Sequence, residues 1–497
     1  MKKIVIIGAG VSGLTAGIYA KKAGFDVEIY EKHFMAGGEC AGWDREGYHI
    51  DGCIHWLTGT KNDGGAFNTM WRETGALGDD VEIVKHDSFG AFEACGSRID
   101  MSRDLSEFKS QLLSLSPEDR EEIEILCEFL EQFSGVDAPK NAVDLMSLRE
   151  LFGLLKTSGR LFKLMKKLKM STREYSQRFK NPTIQALIRY WLPPNDDMSV
   201  SSFIASYGSF INGYADVPRG GSVKMVERMR DKFLSLGGEL FLSTPVETME
   251  VNVKDKKAQI VLKDGCKVDA DYIIASCDVH ITFKLLGKKY NEKKFELRDN
   301  NANDYPLMNS VLHSFAVDYD MKNLPQSFTF LADERVEIYD EKIGGLSYKC
   351  YNHEPSFAPK DKSIMQVNIF AGSYDYWKNL KELGIDEYKQ AKQAGGEIII
   401  KALEDKLPIL KGKLRLIDVA TPLTFERYCG AYKGSWMSWG KTHKSKTLMH
   451  NGRVKGIKNL FLAGQWLMPP GGLPLAISGK WAVQKIAKKE KLDWRKI

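Results

Sequence analysis

Three glycines at G-x-G-x-x-G spacing, Gly8, Gly10 and Gly13, and a carboxylate eighteen residues past the last of them, Glu31, are the residues whose types and spacing best define a chemistry in this chain. In such a pattern Gly8 makes a tight turn, Gly10 lets the backbone approach a pyrophosphate, and Gly13 lets a helix pack closely on a strand. The helix start offers free N–H groups and the positive end of its dipole to phosphates. Glu31 is placed to accept hydrogen bonds from the two hydroxyls of an adenosine ribose, and it would repel a 2′-phosphate. The chemistry implied is dinucleotide binding.

The elements that must position these residues are readable beside them. Ile4–Ile7 is an apolar β-branched run that reads as a buried parallel strand, Leu14–Ala23 as an amphipathic helix ended by Gly24, and Val27–Tyr30 as a second strand that Glu31 closes. Met1-Lys2-Lys3 before an apolar run imitates a secretory signal, but Lys21 and Lys22 stand where a small-residue cleavage site belongs, so export is not expected and a cytoplasmic location is. A second glycine-rich loop, Gly37-Gly38-Glu39-Cys40-Ala41-Gly42, follows. Its simplest use is a second backbone contact to the cofactor, and Asp51-Gly52-x-x-His55-Trp56 would bring the chain back beside the reactive ring; the alternative is that these glycines only make turns.

The chain is long enough, at 497 residues, for two or three domains, and its net charge of +6 argues neither for nor against a nucleic acid, which no motif calls for. Its eight cysteines are scattered with no C-x-x-C pair, which suits reduced thiols, and the nine histidines form no zinc spacing, so no metal is expected. No apolar run reaches the roughly 18–20 residues that cross a bilayer.

From about Asp79 to Tyr214 the strand–helix alternation is lost. Ser116-Pro117-Glu118-Asp119 predicts a capped helix through Phe133. Leu151–Met170 carries Leu151, Leu154, Leu155, Phe162, Met165 and Leu168 at helical spacing, with Lys156, Arg160, Lys163, Lys166, Lys167 and Lys169 between them and no acid from Leu151 to Arg173. Such a segment could lie in an anionic membrane interface, or be a surface helix with a solvated basic face; Gly153 and Gly159 weaken it. Pro218-Arg219-Gly220-Gly221-Ser222 then precedes a helix over Val223–Leu236, and strands are predicted at Glu239–Leu242, Val246–Val251, Ala258–Leu262, Cys266–Val268 and Asp271–Ser276. Lys284–Met449 predicts strands at Asn309–Val317, Ser327–Leu331 and Ser363–Phe370 and a helix around Asp386–Leu407. Finally Asn459–Ala463 reads as a strand, Gly464-Gln465-Trp466 as a turn, and Pro469-Pro470-Gly471-Gly472-Leu473-Pro474 opens a helix over Leu475–Lys489, a second set of backbone donors for the cofactor.

Taken together, Gly8 to Gly13 with Glu31, Gly37-Gly38, Asp51-Gly52 with His55-Trp56, Pro218-x-Gly220-Gly221, Ala270-Asp271-x-Ile273-Ile274-Ala275, Thr421-Pro422 to Arg427, and Leu462-Ala463-Gly464 to Gly471-Gly472 and Ser478-Gly479 resemble the flavin-dependent phytoene desaturase superfamily, and more closely its carotenoid isomerase and retinol saturase branch. The resemblance implies an α/β fold: a Rossmann-like FAD-binding domain of the glutathione reductase type, amine oxidase and phytoene desaturase subgroup, with an inserted α+β substrate domain and a helical cap. It implies an FAD-binding domain assembled from residues 1–78, 215–283 and 450–497, a cap over 79–214 with its candidate membrane contact at 151–170, and a substrate domain over 284–449. It implies non-covalent FAD rather than NAD, and a tunnel for a hydrophobic substrate. By position, Gly8, Gly10, Val11, Ser12, Gly13, Gly37 and Gly38 would hold the pyrophosphate, with Glu39 next to it. Glu31, with Lys32 beside it, would hold the ribose, and Val246 the adenine. Gly464, Gln465, Gly472 and Leu473 would approach the ribityl chain and pyrimidine edge, and His55 the flavin. Two departures stand out: Glu39 where relatives often have Arg or Ser, and Gln465 where they often have Asp or Glu.

The reaction implied is hydride transfer between flavin N5 and an apolar polyene or isoprenoid, in desaturation, saturation or isomerisation, with a separate electron donor or acceptor. A proton must be handled opposite the hydride, and His55, Glu426 and Arg427 are the candidates. One rival is a flavin amine oxidase, for which Trp436, Trp439 and Trp466 could cage a cation. No cysteine follows Cys429, so a cysteinyl flavin is not expected. The other rival is a non-catalytic lipid carrier.

Overall fold

The computed structural model describes the chain except residues 134–136, 192–197, 253–256, 288–291 and 447, and except the side chains at 154–158, 160–163, 165, 252, 333 and 334 within its helices and strands. The chain opens with strand β1 (Lys3–Ile7), helix α1 (Val11–Lys22) and strand β2 (Asp26–Tyr30). In the central parallel sheet the spatial order is Glu239–Phe241, β2, β1, Tyr272–Ala275 and Leu460–Leu462, so three widely separated stretches of sequence share one sheet. Side chains of β1 leave alternately to two cores: Ile4 and Ile6 to one, Val5 and Ile7 to the other. Burial on both faces is why a continuous apolar run, rather than an alternating one, encodes this strand.

Helix α1 is buried nearly all round, from Val11 through Ala20 with only Ser12 partly open, which corrects the expectation of an amphipathic helix. It lies between helices Gly221–Ser235 and Ile477–Lys489. The second crossing is close because a side chain on Gly479 would come within 2.4 Å of the Ser12 carbonyl.

A mixed sheet of seven strands forms the second layer, ordered Leu414–Ala420, Val311–Val317, Ser363–Ile369, Glu341–Cys350, Ser327–Ile338, Ser88–Ala94 and Ser97–Ser102. The last two come from the stretch read as helical, and Ser88–Ala94 joins Ser327–Ile338 in parallel register. The cap helices include Leu105–Leu115, Arg120–Gln132, Pro182–Tyr190 and Val200–Ile211, which share one apolar core. Ser116 does not cap its helix: its hydroxyl bonds the Asp119 carboxylate at 2.7 Å, and Asp119 receives the N–H groups of Lys180 and Asn181.

The basic segment forms helix Leu148–Lys167, started one turn early by a Ser147–Glu150 capping box, and its glycines do not interrupt it. Leu164 and Leu168 are buried, whereas Leu148 and Phe152, one helical turn apart, are 76% and 70% exposed. The side chains of Leu154, Leu155, Lys156, Arg160, Phe162, Lys163 and Met165 lie outside the described residues. Among the described residues no helix is long and apolar enough to cross a membrane.

Candidate active site

The first glycine loop leaves β1 at Gly8, whose N–H donates to the Tyr30 carbonyl at 2.8 Å and whose φ is +99°. Gly10 and Gly37 bridge the two glycine loops, with the Gly37 N–H donating to the Ala9 carbonyl at 2.9 Å. A side chain on Gly10 would meet only the Gly37 carbonyl, at 3.9 Å, so the space in front of this backbone is open, as a pyrophosphate cradle requires. Val11 and Ser12 open α1. Glu31 is buried at the end of β2; its carboxylate accepts the N–H groups of Ala9 (2.8 Å) and His33 (2.9 Å), leaving acceptor capacity for ribose hydroxyls. The chain at Ser243 and Thr244 runs back along His33 and Glu31 by backbone bonds, which carries Val246 to the same end of the site.

The C-terminal turn meets the second glycine loop through side chains. The Gln465 amide donates to the Glu39 carboxyl at 2.8 Å, and the Gln465 oxygen accepts the Gly472 N–H at 3.2 Å. The two departures from the family pattern are therefore a matched pair, and Gln465 clamps Gly472, next to Leu473, against Glu39. Burial pushes the Glu39 carboxyl well above its ordinary value of 4.5; the Gln465 bond opposes this and the Asp278 charge adds to it. A carboxyl raised in the folded state favours folding most where it is protonated, and that contribution is lost as pH rises past the unfolded value. Glu39→Gln keeps an acceptor for Gln465 and removes the ionisation. Between about pH 5.5 and pH 8 the variant is expected to lose less thermal stability than the parent; melting curves at the two pH values test this, and a steeper loss in the variant contradicts it.

Asp51 fastens the next turn. It is 2% exposed; its Oδ1 accepts the N–H groups of Cys53 and Ile54 (both 3.0 Å) and the Ser222 hydroxyl (2.6 Å), and its Oδ2 accepts the Ser222 N–H (2.7 Å). This joins the Asp51–Trp56 turn to the start of helix Gly221–Ser235. Beyond it His55 keeps open surface although protein surrounds it, with the Trp56 ring 6.5 Å from its own. Lys349, on strand Glu341–Cys350, donates to the carbonyls of Ile54 (3.1 Å) and His55 (3.0 Å). Burial, aided by the Lys349 charge, pushes His55 down to about 3; burial, opposed by Asp51, pushes Lys349 down to about 8. His86 and His353 pack edge to face at 4.9 Å, and burial with the Lys349 charge lowers them to about 4 and about 3. The cluster therefore holds neutral imidazoles and one amine poised near neutrality.

Other candidates are not gathered there. Lys32 donates to the Arg427 carbonyl at 2.9 Å, Tyr428 packs edge-on against His33 at 5.3 Å, and the Arg427 side chain is exposed over the Tyr428 ring. The Glu426 carboxylate receives the Tyr374 hydroxyl. Glu426 and Arg427 thus sit beside Lys32 and His33, beyond the end of β2, and not beside His55; Lys32 is turned toward that helix. Of the three tryptophans that the amine-oxidase rival would use, two are already packed. Trp439 and Trp466 are buried edge to face at 4.6 Å, and the Arg298 guanidinium already lies 5.1 Å over Trp439.

Arg298, Lys349, His86 and His353 are the residues that sequence reasoning missed. Arg298 is 2% exposed and donates to the Trp466 carbonyl at 3.0 Å, so it braces the turn that carries Gln465. No spacing marks any of the four; only the fold makes them neighbours of the site.

Residues 6–74 match the model of the NAD(P)-binding Rossmann-like domain. The chain is similar to the phytoene desaturase of Fusarium fujikuroi, 23% identical over 96% of this chain and 88% of that protein. It is likewise similar to the chloroplastic prolycopene isomerase of Daucus carota, 23% identical over 97% of this chain and 79% of that one. In fold it matches the structure of putrescine oxidase bound to putrescine, with a TM-score of 0.59 and 15% identity over 98% and 99% of the two chains. The Rossmann-like α/β fold is thereby shown, and the resemblance to phytoene desaturases and prolycopene isomerases extends over the full length.

Proposed function

We propose that this chain, an oxidoreductase akin from end to end to phytoene desaturases and prolycopene isomerases, binds FAD without a covalent link and acts on a hydrophobic polyene or isoprenoid. The single observation carrying this is that three separated segments share one parallel sheet, with open space in front of Gly10 and the buried Glu31 carboxylate beside it, the arrangement that a dinucleotide needs. Gly8 to Gly13 and Gly37-Gly38 would hold the pyrophosphate, Glu31 the ribose, Val246 the adenine side, and Gln465 with Gly472-Leu473 the far end. When bound, FAD supplies two-electron hydride chemistry at its ring.

The protein's own part is to orient and to manage protons. With its imidazole pushed down to about 3, His55 would accept hydrogen bonds but bring no charge to an apolar substrate. Lys349, near 8, is the group that can hold or release a proton at Nζ beside the Ile54 and His55 carbonyls. This moves the acid–base assignment from His55, Glu426 and Arg427 to Lys349. A rival amine substrate is disfavoured by Arg298 occupying the face of Trp439. The exposed Leu148 and Phe152 on the basic helix support contact with an anionic membrane as the route of delivery.

Anaerobic mixing of the yellow protein with isoprenoids carried in anionic vesicles tests the reading. Flavin bleaching is expected if the substrate is oxidised, and reoxidation of the dithionite-reduced protein if it is saturated. Sedimentation with anionic but not neutral vesicles reads the helix. A protein that purifies colourless and takes up no FAD overturns the proposal, and bleaching by putrescine but not by isoprenoids replaces it with the amine reading.

A further inference from the structure

The antiparallel hairpin behind the second glycine loop pairs Arg45 with Tyr48, Asp44 with His49, Trp43 with Ile50 and Gly42 with Asp51. The Gly52 N–H donating to the Ala41 carbonyl at 2.8 Å extends this register by one residue. The next opposed pair is Cys40 and Cys53. Neither N–H bonds across the hairpin: that of Cys40 goes to the Gly37 carbonyl at 3.1 Å and that of Cys53 to the Asp51 carboxylate at 3.0 Å. Directly opposed residues point their side chains to the same face, and in such a non-hydrogen-bonded pair the Cα atoms lie about 4.5 Å apart. That separation falls inside the roughly 4.4–6.8 Å window of disulfides. Both cysteines are free thiols in the structure; the Cys40 thiol donates to the Ser222 carbonyl at 4.0 Å and lies near enough to Cys53 to raise that thiol.

We propose that Cys40 and Cys53 are a reversible dithiol–disulfide site, oxidised by a small-molecule disulfide such as oxidised glutathione. Cys53 is the more accessible and reacts first: its thiol gives up a proton, the sulfur attacks the oxidant, one glutathione leaves, and a mixed disulfide forms. Cys40, buried against it, then loses its proton and displaces the second glutathione, closing the Cys40–Cys53 bond. Two thiols are oxidised and one disulfide is reduced to two thiols. Contact with Cys40, then burial, pushes the Cys53 thiol up, so the reaction runs slowly and only against an oxidising pool. A bridge here ties the Gly37-Gly38 turn to the Asp51–His55 turn. On the reading above it would fix the mouth of the FAD site, but the pair itself does not depend on that reading.

The test uses the full-length protein, with and without FAD, treated with excess oxidised glutathione, then blocked with iodoacetamide and digested. The expected product is a peptide pair joined through Cys40 and Cys53, absent after dithiothreitol, and formed also in flavin-free protein. Cys40→Ser is expected to leave a persistent glutathione adduct on Cys53. The proposal is overturned if wild-type protein accumulates that adduct while Cys40 still alkylates. It is equally overturned if the exposed Cys95 and Cys266 are modified while Cys40 and Cys53 remain thiols. Failure of the reduced protein to bind FAD, while the cross-link still forms on oxidation, would overturn the proposed function and leave this site standing.

Discussion

Gly13→Ala is expected to abolish FAD retention and to destabilise the fold by roughly 3 kcal/mol, the upper end of what overpacking a well-packed site costs. The reason is local: the added carbon would sit 2.0 Å from the Gly8 carbonyl oxygen, and both groups are backbone, so no side chain can turn aside. Gly10→Ala separates the two effects, since its added carbon meets nothing nearer than 3.9 Å within the chain. That variant is expected to melt like the parent and still fail to bind FAD, because the methyl group occupies the pyrophosphate's place. Thermal melts and equilibrium dialysis against FAD measure both. Unimpaired binding by Gly10→Ala would refute the assignment of this turn to the cofactor.

Removal of the Asp51 carboxylate is expected to have the other large effect. Asp51→Ala leaves the N–H groups of Cys53, Ile54 and Ser222 without this acceptor in a buried place. At about 1–3 kcal/mol for each unsatisfied buried donor, with Ile54 still able to use the Ser222 hydroxyl, the two that remain make the loss about 2–6 kcal/mol. Asp51→Asn should fall between, because an amide retains one oxygen but turns its NH2 toward a group that is itself a donor. Denaturant unfolding reports the difference, and an Asp51→Ala variant as stable as the parent would contradict the role given to this carboxylate.

Legibility in the sequence followed burial. The parallel strands β1 and Tyr272–Ala275 were visible as apolar runs because both of their faces are covered. Helix α1 misled for the related reason that its covering helices, Gly221–Ser235 and Ile477–Lys489, come far later in the chain, so locally it read as an amphipathic helix with one open face. Ser88–Ala94 carries a glycine and a glutamate and finds its parallel partner at Phe328–Phe330, so nothing local announces a strand. In the site, the glycines were readable because backbone geometry restricts residue type. Lys349 was not, since a lysine in a strand ordinarily marks the solvent face and only the packed sheet turns it inward. Glu39 and Gln465 were each noticed singly, and only their 2.8 Å contact shows that one answers the other.

The sheet that assembles β1, β2, Glu239–Phe241, Tyr272–Ala275 and Leu460–Leu462 also sets a timetable. A ribosome delivers the first glycine turn long before Leu460–Leu462, and one edge of its sheet stays unpaired until that strand has been made. Pairings so distant carry a high contact order and slow folding. The nascent chain must therefore keep the apolar strand beside that edge from pairing with other chains while the long intervening stretch is synthesised, so the sheet that β1 begins is closed only when Leu460–Leu462 arrives.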